Sequence, residues 1–452
     1  MKISFLGAAG TVTGSKYLLT FPNQQILVDC GLFQGMKELR LRNWSPLPIS
    51  PATIQSVILT HAHIDHTGYL PLLNKNGFIG DVYSTHGTKD LCDVLLPDSA
   101  YLQEEEAAYA NQHGYSKHHP ALPLYTVHDA LKVLDRFVPY PYHHTVVLDD
   151  VTRFTLLPAG HIIGSSLVHV QHQNKSILFS GDLGRPNDLV MKAPDAPPDT
   201  DYLVLESTYG DRVHEKSHAA DELAEVINRT AARGGSVIVP AFAVGRTQML
   251  LYYLYLLKKE KRIPDLPVYL DSPMAISATH IFKRYKNEHR LSDAEIEGLS
   301  QGVVYVNTPD QSRRISESTT PKIILSASGM ITGGRILHHV KAAAPNPRNT
   351  ILFTGYQAKE TRGDRILSGE RTVKMLGETV PINAEVALLK NISAHADAPE
   401  IISWLKEFKR APKKVFITHG EADSAQALKK KIESELGWNC IVPEYLQEED
   451  IT

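Results

Sequence analysis

The sequence predicts an α/β protein of two or three domains, with a parallel sheet in its middle segment. Three observations predict this. The first 210 residues alternate short β-rich runs with helical patterns, residues 211–390 repeat a strand-then-helix unit, and after 390 a lone apolar strand stands between two helical stretches. Strand–helix alternation implies parallel strands covered by helices, and 452 residues suffice for two or three cores.

The elements follow in order. The N-terminal stretch MKISFLGAAGTVTGSKYLLTF has one early lysine and no sustained apolar run, so it reads as the first strands of the fold and not as a signal peptide. LLTF (18–21) and QILVD (25–29) pair around the turn residues Pro22 and Asn23, and SVILT (56–60) is a short buried strand. Residues 87–112 form a helix with Gln103 and Glu104 to Glu106 on a polar face. Strands are expected at 151–159, 166–172, 176–182 and 202–207. In the middle segment SVIVPA (236–241) leads to a helix at about 246–258, PVYLD (267–271) to a helix from 275, and KIILSAS (322–328) to a Gly-rich turn and a helix, with TILFTG (350–355) last. VFITH (415–419) closes the series between helices at about 398–409 and 424–436. The acidic end, EYLQEED, is expected to be an exposed tail.

Composition excludes several classes. Charge is nearly balanced, 47 basic against 50 acidic residues, and 42% of the chain is hydrophobic, which is ordinary for a globular protein. No apolar run approaches the roughly 20 residues of a membrane span, so no membrane partner is expected. Cys30, Cys92 and Cys440 are far apart and form no CxxC, which excludes a disulfide scaffold and a cysteine-built zinc ribbon and fits the reducing cytoplasm. Residues 211–390 carry 25 basic and 19 acidic residues while the remainder is acidic. That split either reflects an anionic substrate held by the middle segment or ordinary variation of surface charge.

Histidine is the unusual residue, with 21 copies, and some of them cluster. Residues 59–68 read LTHAHIDHTG. His61 and His63, two apart, project to one side of an extended loop, and Asp65 and His66 follow where the chain turns into a helix. Imidazole nitrogens with a carboxylate oxygen suit Zn²⁺, and less specifically Mn²⁺ or Fe²⁺. A solvated polar loop is the bland alternative, but packing four such groups together without a cation costs desolvation with no compensation. One loop cannot complete two metal sites. Further candidates are lone polar residues at the ends of apolar strands: Asp29 after ILV, His161 before the bend at Gly164, and Asp182 after ILFSG. Singly, each reads as a turn-initiating Asp or an incidental His, and only together with 61–66 do they become specific.

The order strand-Asp-Cys-Gly, HxHxDH, a lone His, then SGD resembles the metallo-β-lactamase superfamily. Glu206 in LVLESTYG, His395 in SAHAD, His419 in THGE, and the segments PAFAVGRTQ (240–248) and GMITGGR (329–335) extend the resemblance over essentially the whole chain. Together they resemble the β-CASP branch, nucleic-acid-processing nucleases that include the pre-mRNA 3′-end cleavage subunit, RNase J and related bacterial and archaeal RNases.

The resemblance implies an αββα metallo-β-lactamase sandwich from residues 1–210 and 391–452, with a parallel-sheet α/β β-CASP domain inserted at 211–390. It implies that His61, His63 and His161 hold one zinc, that Asp65, His66 and His419 hold a second, and that Asp182 bridges them. Asp29 would support the ligands. His395 would be the general acid, with Glu206 hydrogen-bonded to it, and a histidine at 419 accompanies RNA-type members where DNA-type members tend to have valine. The implied activity is a zinc-dependent ribonuclease hydrolysing single-stranded RNA through a two-metal-bound hydroxide, with Mn²⁺ as an alternative metal and room for a homodimer.

Chemistry agrees with that assignment. Two cations roughly 3.5–4 Å apart ionise a bridging water near neutral pH and clamp phosphoryl oxygens. The leaving oxygen needs a proton, which an imidazole beside a carboxylate delivers near pH 7. For substrate contacts, Ser328, Gly329 and Arg335 at one strand-to-helix turn, and Arg246 at another, would offer backbone N–H groups and guanidinium forks to phosphate. The same glycines also serve any tight strand–helix turn. The basic runs 258–262 and 429–431 read as solvated helix faces. Three other functions are weighed: a hydrolase of small esters or thioesters, which needs neither a 180-residue insertion nor Glu206 and His395; a DNA-directed nuclease of the same family; and a silent scaffold, which would have no reason to keep every ligand.

Overall fold

The computed structural model describes residues 1–114, 116–214, 219–355, 357–389 and 392–452. The chain folds into two compact units, Met1–Val213 with His395–Thr452, and His214–Ala394. The expected boundary at 390/391 falls outside the described residues.

The first unit is built on two facing sheets. Among the described residues each has seven strands. In one, strands Lys2–Phe5, Tyr17–Thr20 and Gln25–Val28 run antiparallel, and Ser56–Ile58, Asp81–Thr85 and Phe137–Tyr140 continue it in parallel. In the other, strand Lys175–Phe179 pairs in parallel with Tyr202–Glu206, which pairs in parallel with Lys414–Thr418. Alternate residues of both sheets interleave in one core that includes Phe5, Leu19, Ile26, Phe154, Val170, Phe179 and Phe416. Strand Tyr202–Glu206 is buried throughout, because Leu203 and Leu205 on its opposite face meet Ile401, Leu405 and Leu428 of helices Ala398–Leu405 and Ala422–Leu436. Helix His86–His113 packs on Asp81–Thr85 and Phe137–Tyr140 of the other sheet. Thr85 caps its first turn and Gly114, at φ 63°, ends it.

This register positions the site. Strands Gln25–Val28 and Ser56–Ile58 are parallel neighbours, so Asp29 and the histidine loop emerge at one edge. Lys175–Phe179, Tyr202–Glu206 and Lys414–Thr418 are likewise parallel neighbours, so Asp182, Glu206 and His419 emerge side by side.

The acidic end departs from expectation. Glu448–Asp450 is a strand, paired antiparallel with Lys2–Ser4 at the edge of the first sheet. Lys2 pairs with Glu448 and Lys414 with Glu449, while Ile451 is buried. The charges that suggested a solvated tail are neutralised by distant lysines, and one isoleucine anchors the end in the core.

The second unit has a six-stranded sheet among its described residues. Its order is Val303–Tyr305, Val268–Leu270, Ile323–Ser326, Val237–Pro240, Thr350–Phe353, Glu385–Leu388, all pairs parallel. Its buried Ile238, Ile324 and Phe353 pack with Ile336, Leu337 and Val340 of helix Ile336–Ala343. Helix Arg246–Lys259 starts after Gly245, whose φ of 76° makes the sharp strand-to-helix turn.

Candidate metal centre

Asp29 sits in the left-handed region at φ 58°, which turns its fully buried carboxylate back across the strand ends. Its Oδ1 accepts the Thr60 amide at 2.7 Å and its Oδ2 accepts the Thr60 hydroxyl at 2.8 Å. His66 donates from Nδ1 to the same Oδ2 at 2.8 Å. With Nδ1 so committed, His66 presents the lone pair of Nε2. The Thr60 oxygen lies 3.1 Å from His61 Nδ1, and since its proton goes to Asp29 it receives the His61 N–H, leaving Nε2 of His61 bare. At the far strand end the Thr208 hydroxyl donates to the His419 carbonyl and lies 3.2 Å from His419 Nδ1, which again leaves Nε2 bare. Three histidines, two from the loop after Ser56–Ile58 and one from the end of Lys414–Thr418, thus have their Nδ1 committed.

The loop that carries them is tightly held. Cys30 donates its amide to the His66 carbonyl at 2.7 Å, and Ser15 donates to the Asp65 carbonyl at 2.9 Å. A β-carbon at Gly31 would lie 1.6 Å from the Asp65 carbonyl oxygen, so only glycine allows that approach.

The lone pairs converge. His61 Nε2 lies 3.0 Å from His63 Nδ1, and His63 Nδ1 lies 3.3 Å from His161 Nε2. Asp182 Oδ2 is 3.4 Å from His61 Nε2 and 3.5 Å from His161 Nε2. A cation with zinc–nitrogen bonds of about 2.0–2.1 Å in a tetrahedron sets its ligand atoms about 3.3–3.4 Å apart, which is the spacing of this quartet. In the second group His66 Nε2 is 3.2 Å from His419 Nε2, and His419 Nε2 is 3.5 Å from Asp65 Oδ2. Asp182 belongs to both surroundings: its Oδ2 faces the first group, and its Oδ1, buried and accepting no hydrogen bond, lies 3.2 Å from His66 Nε2 and 3.3 Å from His419 Nδ1. A buried carboxylate oxygen that accepts no hydrogen bond within a cluster of imidazoles and carboxylates fits a cation. The donor set and its spacing therefore fit divalent metal.

Electrostatics point the same way. Burial lowers His61 to about 3 and His63 to about 4, so both rings are neutral, as metal ligation requires. Burial also opposes a proton on His66, yet Asp182 and Asp29 outweigh it and raise that ring well above its ordinary value. Burial opposes the Asp182 charge too, and His419, His66 and His61 overcome it and keep the carboxylate ionised. The negative field that pulls on His66 is the field a cation would feel.

Beside the nest, His395 Nδ1 is 3.2 Å from both oxygens of Glu206. Glu206 accepts the Leu183 amide at 2.5 Å and the Thr208 amide at 3.3 Å. His395 Nε2 faces Asp182 Oδ2 at 3.9 Å, and 17% of its side chain is exposed. The backbone of Gly184 bridges His395.

All ten residues expected at the metals and the acid thus lie in the first unit and gather in one cluster: Asp29, His61, His63, Asp65, His66, His161, Asp182, Glu206, His395 and His419. Sequence reasoning missed the orienting threonines Thr60 and Thr208. Thr60 adjoins His61 and Thr208 lies two residues past Glu206, but the imidazoles they hold become neighbours only through strand pairing. The four candidate substrate residues lie in the second unit, at carboxyl ends of its strands. The turn there differs from the open phosphate cradle expected. The amides of Thr332 and Gly333 donate to Ser328 Oγ, and that of Ile336 to the Ala327 carbonyl. Arg335 gives its fork to Asp271 Oδ1 at 2.8 Å and to the carbonyls of Val306 and Asn307. Gly329 lies under the Phe242 ring, and Arg246 lies so close to Gly355 that a β-carbon there would meet its Nη1 at 1.9 Å.

Comparison with known proteins is consistent with this geometry. Residues 9–222 match the metallo-beta-lactamase superfamily model, 247–366 the Beta-Casp domain, and 379–443 the Zn-dependent metallo-hydrolase RNA specificity domain. The chain is 35% identical to Ribonuclease TTHA0252 of Thermus thermophilus over 95% of both chains. It is 31% identical to Transcription termination factor FttA of Methanocaldococcus jannaschii over 95% of this chain and 70% of that one. It is 26% identical to Integrator complex subunit 11 of Danio rerio over 98% and 73%. A crystal structure of a protein of unknown function from Enterococcus faecalis shares the fold, with a TM-score of 0.55 at 12% identity over 99% of both chains. The chain belongs to the β-CASP family of metal-dependent nucleases within the metallo-β-lactamase superfamily.

Proposed function

We propose that this chain is a ribonuclease that hydrolyses phosphodiester bonds of single-stranded RNA with two bound zinc ions. The observation that carries the reading is Asp182, whose carboxylate stands between two ligand groups, one facing each oxygen. His61, His63 and His161 would hold one ion, Asp65, His66 and His419 the other, and Asp182 both. When bound, such a pair supplies an ionised water near neutral pH and positive charge for the phosphoryl oxygens. His395 delivers a proton from Nε2 to the leaving oxygen, because Glu206 holds its Nδ1 and favours the charged ring. Glu206 in turn is fixed by the Leu183 and Thr208 amides. The histidine at 419, and relatives named for ribonuclease activity and transcription termination, support RNA over DNA.

We assign residues 1–210 and 391–452 to the metallo-β-lactamase domain and 211–390 to the β-CASP domain. The three free cysteines are buried, which suits a reducing cytoplasm, and among the described residues no helix is long and apolar enough to cross a membrane. Of the substrate contacts, Arg335 is committed to Asp271 and is not retained for phosphate.

End-labelled single-stranded RNA should be cut with zinc or Mn²⁺ and spared after EDTA, and DNA of the same sequence should survive. Cleavage of the DNA alone, or turnover of a thioester with the RNA intact, would replace the reading. His395→Ala should keep its metal content and lose activity by about 10²–10⁴-fold; unchanged turnover in that variant removes His395 from the chemistry.

A further inference from the structure

We infer that the short helix Lys37–Arg42 and the indole of Trp44 form a stacking platform that holds single-stranded RNA beside the metal loop. The inference rests on the RNA reading above and deepens it.

Helix Lys37–Arg42 buries none of its residues. Leu41 is 53% exposed and Trp44 58%, although the other described tryptophans pack against the core. Trp44 is thus a large aromatic left mostly in water at the end of a helix none of whose residues is buried. It is nevertheless rigid. Asn43 is buried and pins the segment with two bonds to Phe33, accepting its amide at 2.9 Å and donating to its carbonyl at 2.8 Å. Phe33 follows Gly31 and Leu32, whose backbone lies against Asp65 and Ile64 of the metal loop. The indole and the candidate ligands are therefore carried by one continuous, tightly bonded piece of chain.

The surrounding charge names the partner. Lys37, Arg40 and Arg42 outnumber Glu38 in a chain whose net charge is −3. Lys37 and Arg40 are exposed and form no ion pair among the described residues. Arg42, the last residue of the helix, lies 4.1 Å over the ring of Tyr445 and 5.4 Å from that of Phe33. A flat indole bordered by cations suits the face of a base and the phosphates on either side of it. An apolar peptide groove would need neighbouring concave surface and fewer charges.

The test uses the metal-loaded full chain in a His395→Ala background, titrated with fluorescent oligouridylate. Trp44→Ala should weaken binding about 5-fold or more, with its metal content equal to that of the parent. Trp44→Phe should recover much of the affinity yet abolish the quench of tryptophan emission caused by RNA. Arg40→Glu should weaken binding and flatten its salt dependence. Equal affinity in Trp44→Ala and the parent overturns the platform and leaves the face to a protein partner. No binding by the parent itself, together with intact RNA in the cleavage assay, overturns instead the RNA reading beneath it.

Discussion

Asp182 in the first unit and Asp271 in the second are both buried carboxylates at the ends of parallel strands, and both face histidine. Their surroundings differ in one respect. Asp271 receives a proton from every neighbour. Arg335 donates to Oδ1 at 2.8 Å, His339 donates from Nε2 to Oδ2 at 2.7 Å, and Ser316 lies 2.8 Å from the other nitrogen of that ring. Asp182 stands among the candidate ligand histidines, and its Oδ1 accepts no hydrogen bond. A cluster whose donors and acceptors are spent on each other is a tie between a strand end and a helix start. A cluster whose lone pairs all aim at one space is a site for a cation. The pair separates a structural cluster from a functional one by hydrogen-bond direction alone.

The largest expected effect tests the first half of that contrast. Asp182→Asn keeps the shape but converts one oxygen to an amide that cannot ligate two cations. Metal content, read by elemental analysis after gel filtration, should fall by more than the roughly 10- to 100-fold that an orienting partner is worth. A variant that retained the metal content of the parent would show that Asp182 is not a ligand.

Asp271→Asn should behave in the opposite way. Removing the charge strands the Arg335 guanidinium, at a cost of about 3 kcal/mol read from denaturant unfolding, while metal content stays at the wild-type value. Burial pushes the Asp271 carboxyl up, and hydrogen bonds from His339, Ser312 and Arg335 outweigh it and hold it below its ordinary 3.8. A depressed value in the folded state means that the stabilisation is complete above the unfolded value and is lost as pH falls through the folded one. The stability gap between wild type and Asp271→Asn should therefore be full at neutral pH and narrow only in acid below 3.8. A gap unchanged down to the lowest pH would assign the cost to packing instead of charge.

The same contrast explains what the sequence could reveal. Four ligand-type residues within His61–His66 are local, so their chemistry is legible in a ten-residue window. Asp182 and His419 look like any turn residue by themselves, and acquire meaning through their order along the chain and the parallel pairing of their strands. Arg335 reads as a phosphate fork because its true partner, Asp271, is 64 residues away on another strand. Strand Glu448–Asp450 was hidden for a related reason. Glu-Glu-Asp has no apolar alternation, and its partners Lys2 and Lys414 lie far off in sequence. Local apolar patterns and dense ligand motifs were readable; long-range charge compensation was not.

The smallest of these effects concerns the rim of the nest, where the two kinds of cluster meet. Asp29 is satisfied like Asp271, accepting from Thr60 and His66, yet it serves the site, because the bond from His66 Nδ1 decides which nitrogen of that ring faces the cation. Asn at this position can orient its amide to accept from Thr60 or from His66 but cannot offer two carboxylate oxygens to both. The ring of His66 would then lose its fixed tautomer while its backbone, bonded to Cys30, stays in place. Asp29→Asn should lower metal affinity by roughly 10- to 100-fold, chiefly at the site shared with Asp65 and His419, and the loss should be recovered by excess zinc. Loss that excess zinc fails to restore would make Asp29 a folding residue, and would place it with Asp271 and not with the metal centre.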